Sequence, residues 1–298
     1  MTKLIKLVMS VTLLIALLSA CSGADEDYTK LSYDEMTEKL VLANSGDSIF
    51  AGHDVYVAAN VDENGDKLWT RTYAKLSDGT LALFEHRIEA GTHTAIFPDA
   101  YYLEHESVPY MMLTATDTGY TENYDEMIAL VRLDVEEDEE IISVEKSGDN
   151  FVFVYEIPHT SETYKNLGLD MDSGIFRVII VADAKTLEMV EVTNYHIAED
   201  GGKKFLRGMK FEYDIPFTEP EFSLQCKEMA ANPDGIFTVK LIIDPETSDE
   251  MRREIEVPTG MAYWVDGYEM FADAAFTEEH VGYPSDTAGE ITIYVKSN

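Results

Sequence analysis

Apolar residues recur at every second position over long stretches of this chain, and this alternation constrains the fold most. Residues 55–61 (VYVAANV) place valine and alanine at alternate positions, and Asn64-Gly65 follows, a dipeptide typical of a tight hairpin turn. Turn residues divide the remainder of residues 48–116 into further short segments of the same kind. The pattern predicts an antiparallel meander of about six strands.

The same alternation returns after residue 150. Large apolar residues share one face of residues 151–157, residues 175–182 are apolar on both faces except at Arg177, and residues 187–197 follow a short turn. Residues 205–213 again place large side chains on one face. We therefore predict a strand-dominated α+β fold, in which a curved antiparallel meander, or half-barrel, is covered by helices and precedes a small C-terminal all-β module.

Two segments have helical rather than alternating periodicity. Residues 31–43 (LSYDEMTEKLVLA) carry an apolar stripe at helical spacing, and Ser32 with Glu35 forms a capping box at its start. Residues 121–133 (TENYDEMIALVRL) have Thr121 as a cap and acidic residues in the first turns. The sequence therefore predicts one helix before each meander.

The order helix, meander, helix, meander resembles that of the LolA-like and LppX-like lipoprotein carriers. The likeness rests on residues 179–190 (IIVADAKTLEMV), a strand, a turn of the form D-x-x-T-L and a second strand, and it extends over roughly residues 31–220. Those proteins are curved antiparallel half-barrels whose concave face is covered by helices and binds acyl chains. The resemblance implies the same architecture here, but it transfers no binding residue, because this sequence has no matching site motif.

Residues 232–235 (NPDG) mark a boundary near the C-terminus. The alternating segments beyond it, with a V-P-x-G turn at residues 257–260, resemble the small β modules of clostridial-type surface lipoproteins, which implies a spacer or a protein-contact domain. The predicted organisation has four parts: a signal peptide (residues 1–20), a lipidated tether (21–30), a half-barrel-like domain (31–230) and the C-terminal β module (235–298).

The first twenty residues are typical of an export signal. Lys3 and Lys6 precede an apolar run over residues 7–18, which is too short to span roughly 30 Å of hydrocarbon. The run ends in Leu18-Ser19-Ala20-Cys21, which resembles the lipobox of bacterial lipoproteins. The resemblance implies that Cys21 carries acyl chains such as palmitate and anchors the protein to the cell membrane, outside the cytoplasm. The alternative is an ordinary secretory signal cleaved after Ala20.

The charge balance limits the kinds of partner. The chain has 22 basic and 57 acidic residues, a formal net charge of −35, so it lacks the cations that neutralise nucleic-acid phosphates. Its hydrophobic content of 45% is enough for a large core. With Cys21 lipidated, Cys226 is the only other cysteine, so we predict no disulfide within the chain and interpret Cys226 as a buried small residue.

No residue pattern indicates catalysis or a metal. The sequence lacks a Gly-rich phosphate loop, a G-x-S-x-G elbow, an H-E-x-x-H motif and a C-x-x-C motif. His86, His93 and His105 are the densest histidine group, but strand alternation separates His105 from its neighbouring glutamates, and the acidic residues 134–140 are interpreted as a solvated segment. We predict no catalytic residue, no metal and no cofactor.

Two strand faces indicate where a ligand would lie. The predicted ligand groove consists of large apolar residues from two strands: Phe151, Phe153, Tyr155, Phe205, Met209, Phe211 and Tyr213. Such a lining suits acyl chains or another hydrophobic small molecule. The sequence thus predicts a non-catalytic lipoprotein that binds a hydrophobic ligand or lipid and no nucleic acid. Two alternatives stay open: a structural lipoprotein that contacts another envelope protein, and a hydrolase of envelope polymers.

Overall fold

The structure, a computed structural model, describes residues 28, 31–113, 140–158, 173–245, 250–265, 268–282, 284–285 and 287–296. The α-helices of these residues are α1 (Tyr33–Ala43), α2 (Gly46–Gly52) and α3 (Glu221–Ala231). The strands are β1 (Val55–Val61), β2 (Lys67–Lys75), β3 (Leu81–Arg87), β4 (Thr92–Ile96), β5 (Tyr101–His105), β6 (Val108–Leu113), β7 (Glu140–Ser147), β8 (Asn150–Pro158), β9 (Ile175–Asp183), β10 (Met189–Ile197), β11 (Lys203–Tyr213), β12 (Ile236–Ile243), β13 (Met251–Pro258), β14 (Ala262–Val265), β15 (Met270–Phe271) and β16 (Gly289–Val295). No helix within these ranges is long and apolar enough to cross a membrane.

Twelve strands form one large, open, curved sheet in the order β14-β6-β5-β4-β3-β2-β1-β11-β10-β9-β8-β7. The meanders β1–β6 and β7–β11 each follow chain order, and the antiparallel pairing of β1 with β11 joins them side by side. Most of their connections are short, and a tight turn returns the chain antiparallel to the strand it has just left; the connection from β8 to β9, residues 159–174, is longer. The predictions of a strand-dominated fold and of six strands in the first meander are confirmed.

The helices agree only in part with the sequence. The predicted helix at residues 31–43 is α1, and its capping box is present: the Ser32 amide donates to the Glu35 carboxylate at 2.8 Å, and Ser32 Oγ accepts from the Glu35 amide at 3.3 Å. The sequence predicts that residues 44–46 (NSG) end that helix and that strand periodicity begins at residue 48, which is wrong for residues 46–52. They form α2 instead, because Ser45 Oγ accepts a hydrogen bond from the Ser48 amide and caps a new helix.

A further helix, α3, has no start signal in the sequence. Its N-cap is Pro220, which makes no side-chain capping bond, so the residue types that usually mark the start of a helix are absent from this position. The predicted helix at residues 121–133 lies outside the described residues.

Two apolar clusters lie on opposite faces of the large sheet. On the face that we call the α1 face, buried residues of β1–β4 and β8–β11 pack against Met36, Leu40 and Ile49 of α1 and α2. On the face that we call the α3 face, residues such as Phe84 pack with Cys226 of α3 and with the smaller sheet. The described helices thus touch both faces, and the two helices on the α1 face contribute few of its buried residues.

The smaller sheet has four strands in the order β13-β12-β16-β15, with β12 and β16 parallel. Strand β14 comes from the same C-terminal part of the chain, but it pairs in parallel with β6 at the edge of the large sheet. Residues beyond the predicted boundary at 232–235 therefore contribute to both sheets. The division of the chain into separate domains stays a prediction.

Candidate functional site

Six of the seven residues predicted to line a groove lie in the apolar cluster of the α1 face. Four of them are buried and two are half-buried: Phe151, Phe153, Tyr155 and Phe211, and Met209 and Tyr213. The register explains why they meet, because β8 and β11 are separated only by β9 and β10. Packing thus brings together side chains from two strands that lie about fifty positions apart in the sequence.

Phe205 does not join them, and its predicted position is wrong. Asn194 of β10 is paired with Arg207, but the next residue, Tyr195, is paired with Phe205, so Leu206 is the extra residue of a β-bulge. The bulge reverses the alternation of side chains along β11. The Phe205 ring accordingly lies edge-on to the Tyr195 ring, 5.9 Å between centroids, on the α3 face.

Three of the remaining groove residues, Phe153, Tyr155 and Met209, belong to two rows of side chains that cross neighbouring strands. Directly opposed residues of neighbouring strands present their side chains on the same face. The row that we call the first row runs over β8, β9, β10, β11, β1 and β2: Phe153, Ile180, Val192, Met209, Asn60 and Trp69. The second row runs beside the first and consists of the residues two positions away on β8, β9, β10 and β11: Tyr155, Val178, Asn194 and Arg207.

Both rows change from a buried end to an end that solvent reaches, and in the first row the polar side chain of Asn60, 8% exposed, interrupts this change. Phe153 and Tyr155 are 0% and 2% exposed, whereas Met209 and Trp69 are half-buried and Arg207 is exposed. Five strand spacings of about 4.8 Å make the first row roughly 24 Å long. Helices α1 and α2 lie near the opposite ends of these strands, where Met36 and Leu40 pack. The α1 face therefore offers an apolar band whose outer half is accessible.

A buried carboxylate and two arginines stand beside the outer end of this band. Glu85 is 7% exposed and accepts hydrogen bonds from Arg71 Nε at 2.5 Å and from Arg87 Nε at 2.6 Å. Burial alone would raise the pKa of Glu85, but the two guanidinium groups outweigh it and hold that pKa below its ordinary value. The guanidinium of Arg71 also lies over the Trp69 ring, 4.9 Å from its centroid.

Arg207 lies at the end of the second row, close to this charged group. Its Nη2 atom lies 3.3 Å from the sulfur of Met209. The pKa of Arg207 is lowered, chiefly because neighbouring atoms displace water from the guanidinium and secondly because Arg71 repels it. Sequence reasoning missed Arg207, since the bulge that sets its position leaves no signature in the residue types.

A second polar cluster fastens α2 to the sheet. The ring of His53, at the C-cap of α2, contacts Glu188 through Nε2 at 2.6 Å and Asp214 through Nδ1 at 2.8 Å. Burial works against the charged ring, but the two carboxylates outweigh it and raise the pKa of His53. The cluster joins three segments that are distant in sequence, and it was not predicted. A largely polar cavity of about 350 Å³ lies next to it.

The histidines and Cys226 have structural surroundings. The His86 and His93 rings stack at 4.1 Å between centroids, while His105 is paired with Thr92 and so belongs to the other face. Within the described ranges, no three histidine, cysteine, aspartate or glutamate side chains are placed to hold a metal. Burial raises the pKa of the Cys226 thiol to about 11, so the thiol is protonated at neutral pH. Cys21 and residues 134–139 lie outside the described residues.

No family model matches this sequence, and no curated protein matches it. Among solved structures, the chain is similar to LprF from Mycobacterium bovis, with 10% identity, a TM-score of 0.35 and coverage of 63% of this chain and 97% of that one. It is also similar to the Pseudomonas aeruginosa MucA/MucB complex, with 11% identity, a TM-score of 0.29 and coverage of 76% of each chain. At these TM-scores neither a residue nor an activity is transferred from either structure.

Proposed function

We propose that this protein is an exported, membrane-anchored lipoprotein that binds the apolar part of a hydrophobic ligand along the first row of the α1 face. The observation that carries the proposal is the change in burial along that row. Phe153 and Ile180 belong to the core, and the row continues through the half-buried Val192 and Met209. It then passes the buried Asn60 and ends at Trp69, which solvent reaches. Half-buried apolar side chains aligned in this way form a surface that a ligand can complete.

The chemistry of the outer half suits a flexible apolar ligand. The Met209 side chain is soft and adapts its shape, and the Trp69 ring provides a flat apolar surface. Covering such side chains releases roughly 25 cal/mol for each Å² removed from water, so a chain-like ligand would gain affinity without charged contacts. The buried inner end serves as a rigid base for these residues, because Phe153 and Ile180 are fixed in the core.

A titration with a fluorescent fatty-acid analogue tests the binding surface. We expect saturable binding to the wild-type chain and a loss of at least tenfold in affinity for Met209→Asp, since the carboxylate places a charge on the apolar band. The matched control is Phe205→Asp, which changes a half-buried apolar residue of the same strand on the opposite face. Both variants are checked by circular dichroism before binding is compared.

Two results would contradict the proposal. The first is the absence of saturable binding to the wild-type chain, which would favour the structural or protein-interaction alternative. The second is equal weakening by Met209→Asp and Phe205→Asp, which would place the ligand elsewhere. Substitution of Phe153 is not a suitable test, because that side chain is fully buried and its replacement by aspartate would disrupt folding.

The anchor has its own test, because it rests on the lipobox and not on the sheet. Metabolic labelling with palmitate is expected to mark the wild-type chain and to be lost in Cys21→Ser, which should accumulate as precursor or as secreted protein. Stable attachment generally needs more than one acyl chain, each contributing about 0.8 kcal/mol per buried CH₂. Retention of Cys21→Ser in the membrane at the wild-type level after removal of the signal would contradict the proposal.

A further inference from the structure

Arg207 differs from the other arginines whose contacts the structure describes. Arg71 and Arg87 share Glu85, Arg177 contacts Glu156, and Arg252 contacts Glu250. Among the described residues no carboxylate lies within ion-pair distance of Arg207, whose one described hydrogen bond is to the Met209 sulfur. The guanidinium of Arg207 is thus not neutralised by a described carboxylate, although the chain has a formal net charge of −35.

The surroundings of Arg207 add positive charge to the same end of the band. Arg71, Arg87 and Arg207 bring three guanidinium groups there, whereas Glu85 supplies a single carboxylate. Arg71 is close enough to Arg207 to lower the pKa of its guanidinium. This end of the α1 face therefore carries more positive than negative charge, which an anion would balance.

The residue directly opposite Arg207 is also incompletely bonded. Asn194 is paired with Arg207 across β10 and β11, and its side chain lies on the same face. Its Oδ1 atom is buried and accepts no hydrogen bond from the described residues. A buried acceptor without a donor is unfavourable, so a hydroxyl or amide group of a ligand would be well placed there.

We propose that Arg207, supported by Arg71, binds the anionic head group of an amphiphile, either a phosphate or a carboxylate, whose apolar chain lies along the two rows. A hydroxyl or amide group next to that head group would donate to Asn194 Oδ1. A guanidinium presents paired N–H donors that match both kinds of oxyanion. The exposed end of the second row is where a head group would remain accessible, while Val178 and Tyr155 continue the same row toward the core. This assignment rests on the proposed function.

The experiment compares ligands that differ only in the head group. Oleate, below its micelle concentration, and oleyl alcohol, below its solubility limit, are titrated against the full chain carrying Cys21→Ser and Trp264→Phe, so that the fluorescence reports Trp69 alone of the two tryptophans. We expect oleate to bind at least tenfold more tightly than oleyl alcohol. In Arg207→Gln this preference should fall to about twofold or less with oleyl alcohol unaffected, and Arg207→Lys should restore part of it. Lys210→Gln, at an exposed cation of the same strand on the α3 face, is the control and should keep the preference.

The outcomes separate the two proposals. If neither ligand binds, the proposed function fails; if both bind equally and Arg207→Gln changes nothing, only the head-group assignment fails. Inorganic phosphate that competes with oleate, but not in Arg207→Gln, supports the assignment. Phosphate that binds where neither amphiphile does would show a site for a free anion and overturn it. A melting temperature lowered by several degrees in ligand-free Arg207→Gln, but not in Lys210→Gln, would reveal an internal partner and overturn it as well.

Discussion

His53 joins three segments of the chain through one imidazole ring. Its two nitrogens contact Glu188, after the β9–β10 turn, and Asp214, at the end of β11, while its backbone caps α2. The carboxyl group of Asp214 is held in turn by the amide of Asp54 at 3.0 Å. The contact is strongest when the imidazole ring is positively charged and both carboxylates are negatively charged, so its strength depends on pH.

The sign of that dependence follows from the direction of each shift. Because the pKa of His53 is raised on folding, its contribution is complete below about pH 6.5, the ordinary histidine value, and is lost as the pH rises through the raised pKa. The hydrogen bond from His53 is the main cause that lowers the pKa of Asp214, so this carboxylate contributes above about pH 3.9 and loses its contribution as the pH falls through the lowered pKa.

We predict that the free energy of unfolding decreases between pH 6 and pH 9 by about 1 kcal/mol more in the wild-type chain than in His53→Gln, since the uncharged variant lacks the titrating ring. Urea unfolding at several pH values measures this difference. His105→Gln, at an exposed histidine, should follow the wild-type profile. Parallel profiles for wild type and His53→Gln would contradict the prediction.

At the scale of secondary-structure elements, the side-chain amide of Asn44 bonds the C-terminal end of α1 to the sheet. Asn44, the C-cap of α1, is fully buried. Its Nδ2 donates to the carbonyls of Leu40 and Leu187, each at 2.8 Å, and its Oδ1 accepts from the Met189 amide at 2.8 Å. Leu187 has a left-handed backbone conformation, with φ of 60°, in the turn before β10. Its buried carbonyl oxygen needs a hydrogen-bond donor, and the Asn44 side chain supplies it. The cap therefore fixes both the end of the helix and the turn before β10.

Asn44→Ala is expected to lower the free energy of unfolding by about 2 to 3 kcal/mol, because it leaves a buried carbonyl and a buried amide without partners. Urea unfolding gives the total loss, and hydrogen exchange should locate it in α1 and in the turn before β10. Asn232→Ala provides a matched control at the exposed C-cap of α3 and should change stability by no more than about 0.5 kcal/mol. Equal effects at both positions would contradict this role for Asn44.

At the scale of the whole molecule, the C-terminal part of the chain completes the α3 face. Val239 and Leu241 of β12 and Ile293 of β16 are fully buried in the same cluster as Phe84 and Phe97 of the large sheet region. Strand β14 adds hydrogen bonds to β6. Removing this part would expose apolar surface on the large sheet and uncover an edge strand, both of which promote aggregation.

We therefore predict that a chain ending at residue 234 unfolds without a sharp transition and binds a dye for exposed apolar surface, whereas the full chain unfolds cooperatively. Thermal unfolding followed by circular dichroism, together with dye fluorescence, measures this. A truncated chain that keeps the melting temperature of the full chain would contradict the prediction and support two independent domains with a boundary at residues 232–235.

Local patterns in the sequence determined most of the strands, many of their connections and helix α1, but not strand β7. Alternation and turn chemistry act over a few residues, so the meander β1–β6 and the capping box of Ser32 and Glu35 could be read directly. The gathering of Phe153 and Phe211 on one face was also predictable, because each strand keeps its own alternation up to the first irregularity. Charge and composition restricted the classes of partner without indicating a site.

Only the tertiary structure decided how distant segments meet. The bulge at Leu206 moves Phe205 to the α3 face and sets the position of Arg207. The residue types at these positions give no sign that one of them is left out of the strand pairing. The contacts of His53 and the parallel pairing of β14 with β6 likewise join segments far apart in the chain. Such contacts depend on the register of one strand against another and on the packing of both faces, which are properties of the assembled sheet and not of any local stretch of sequence.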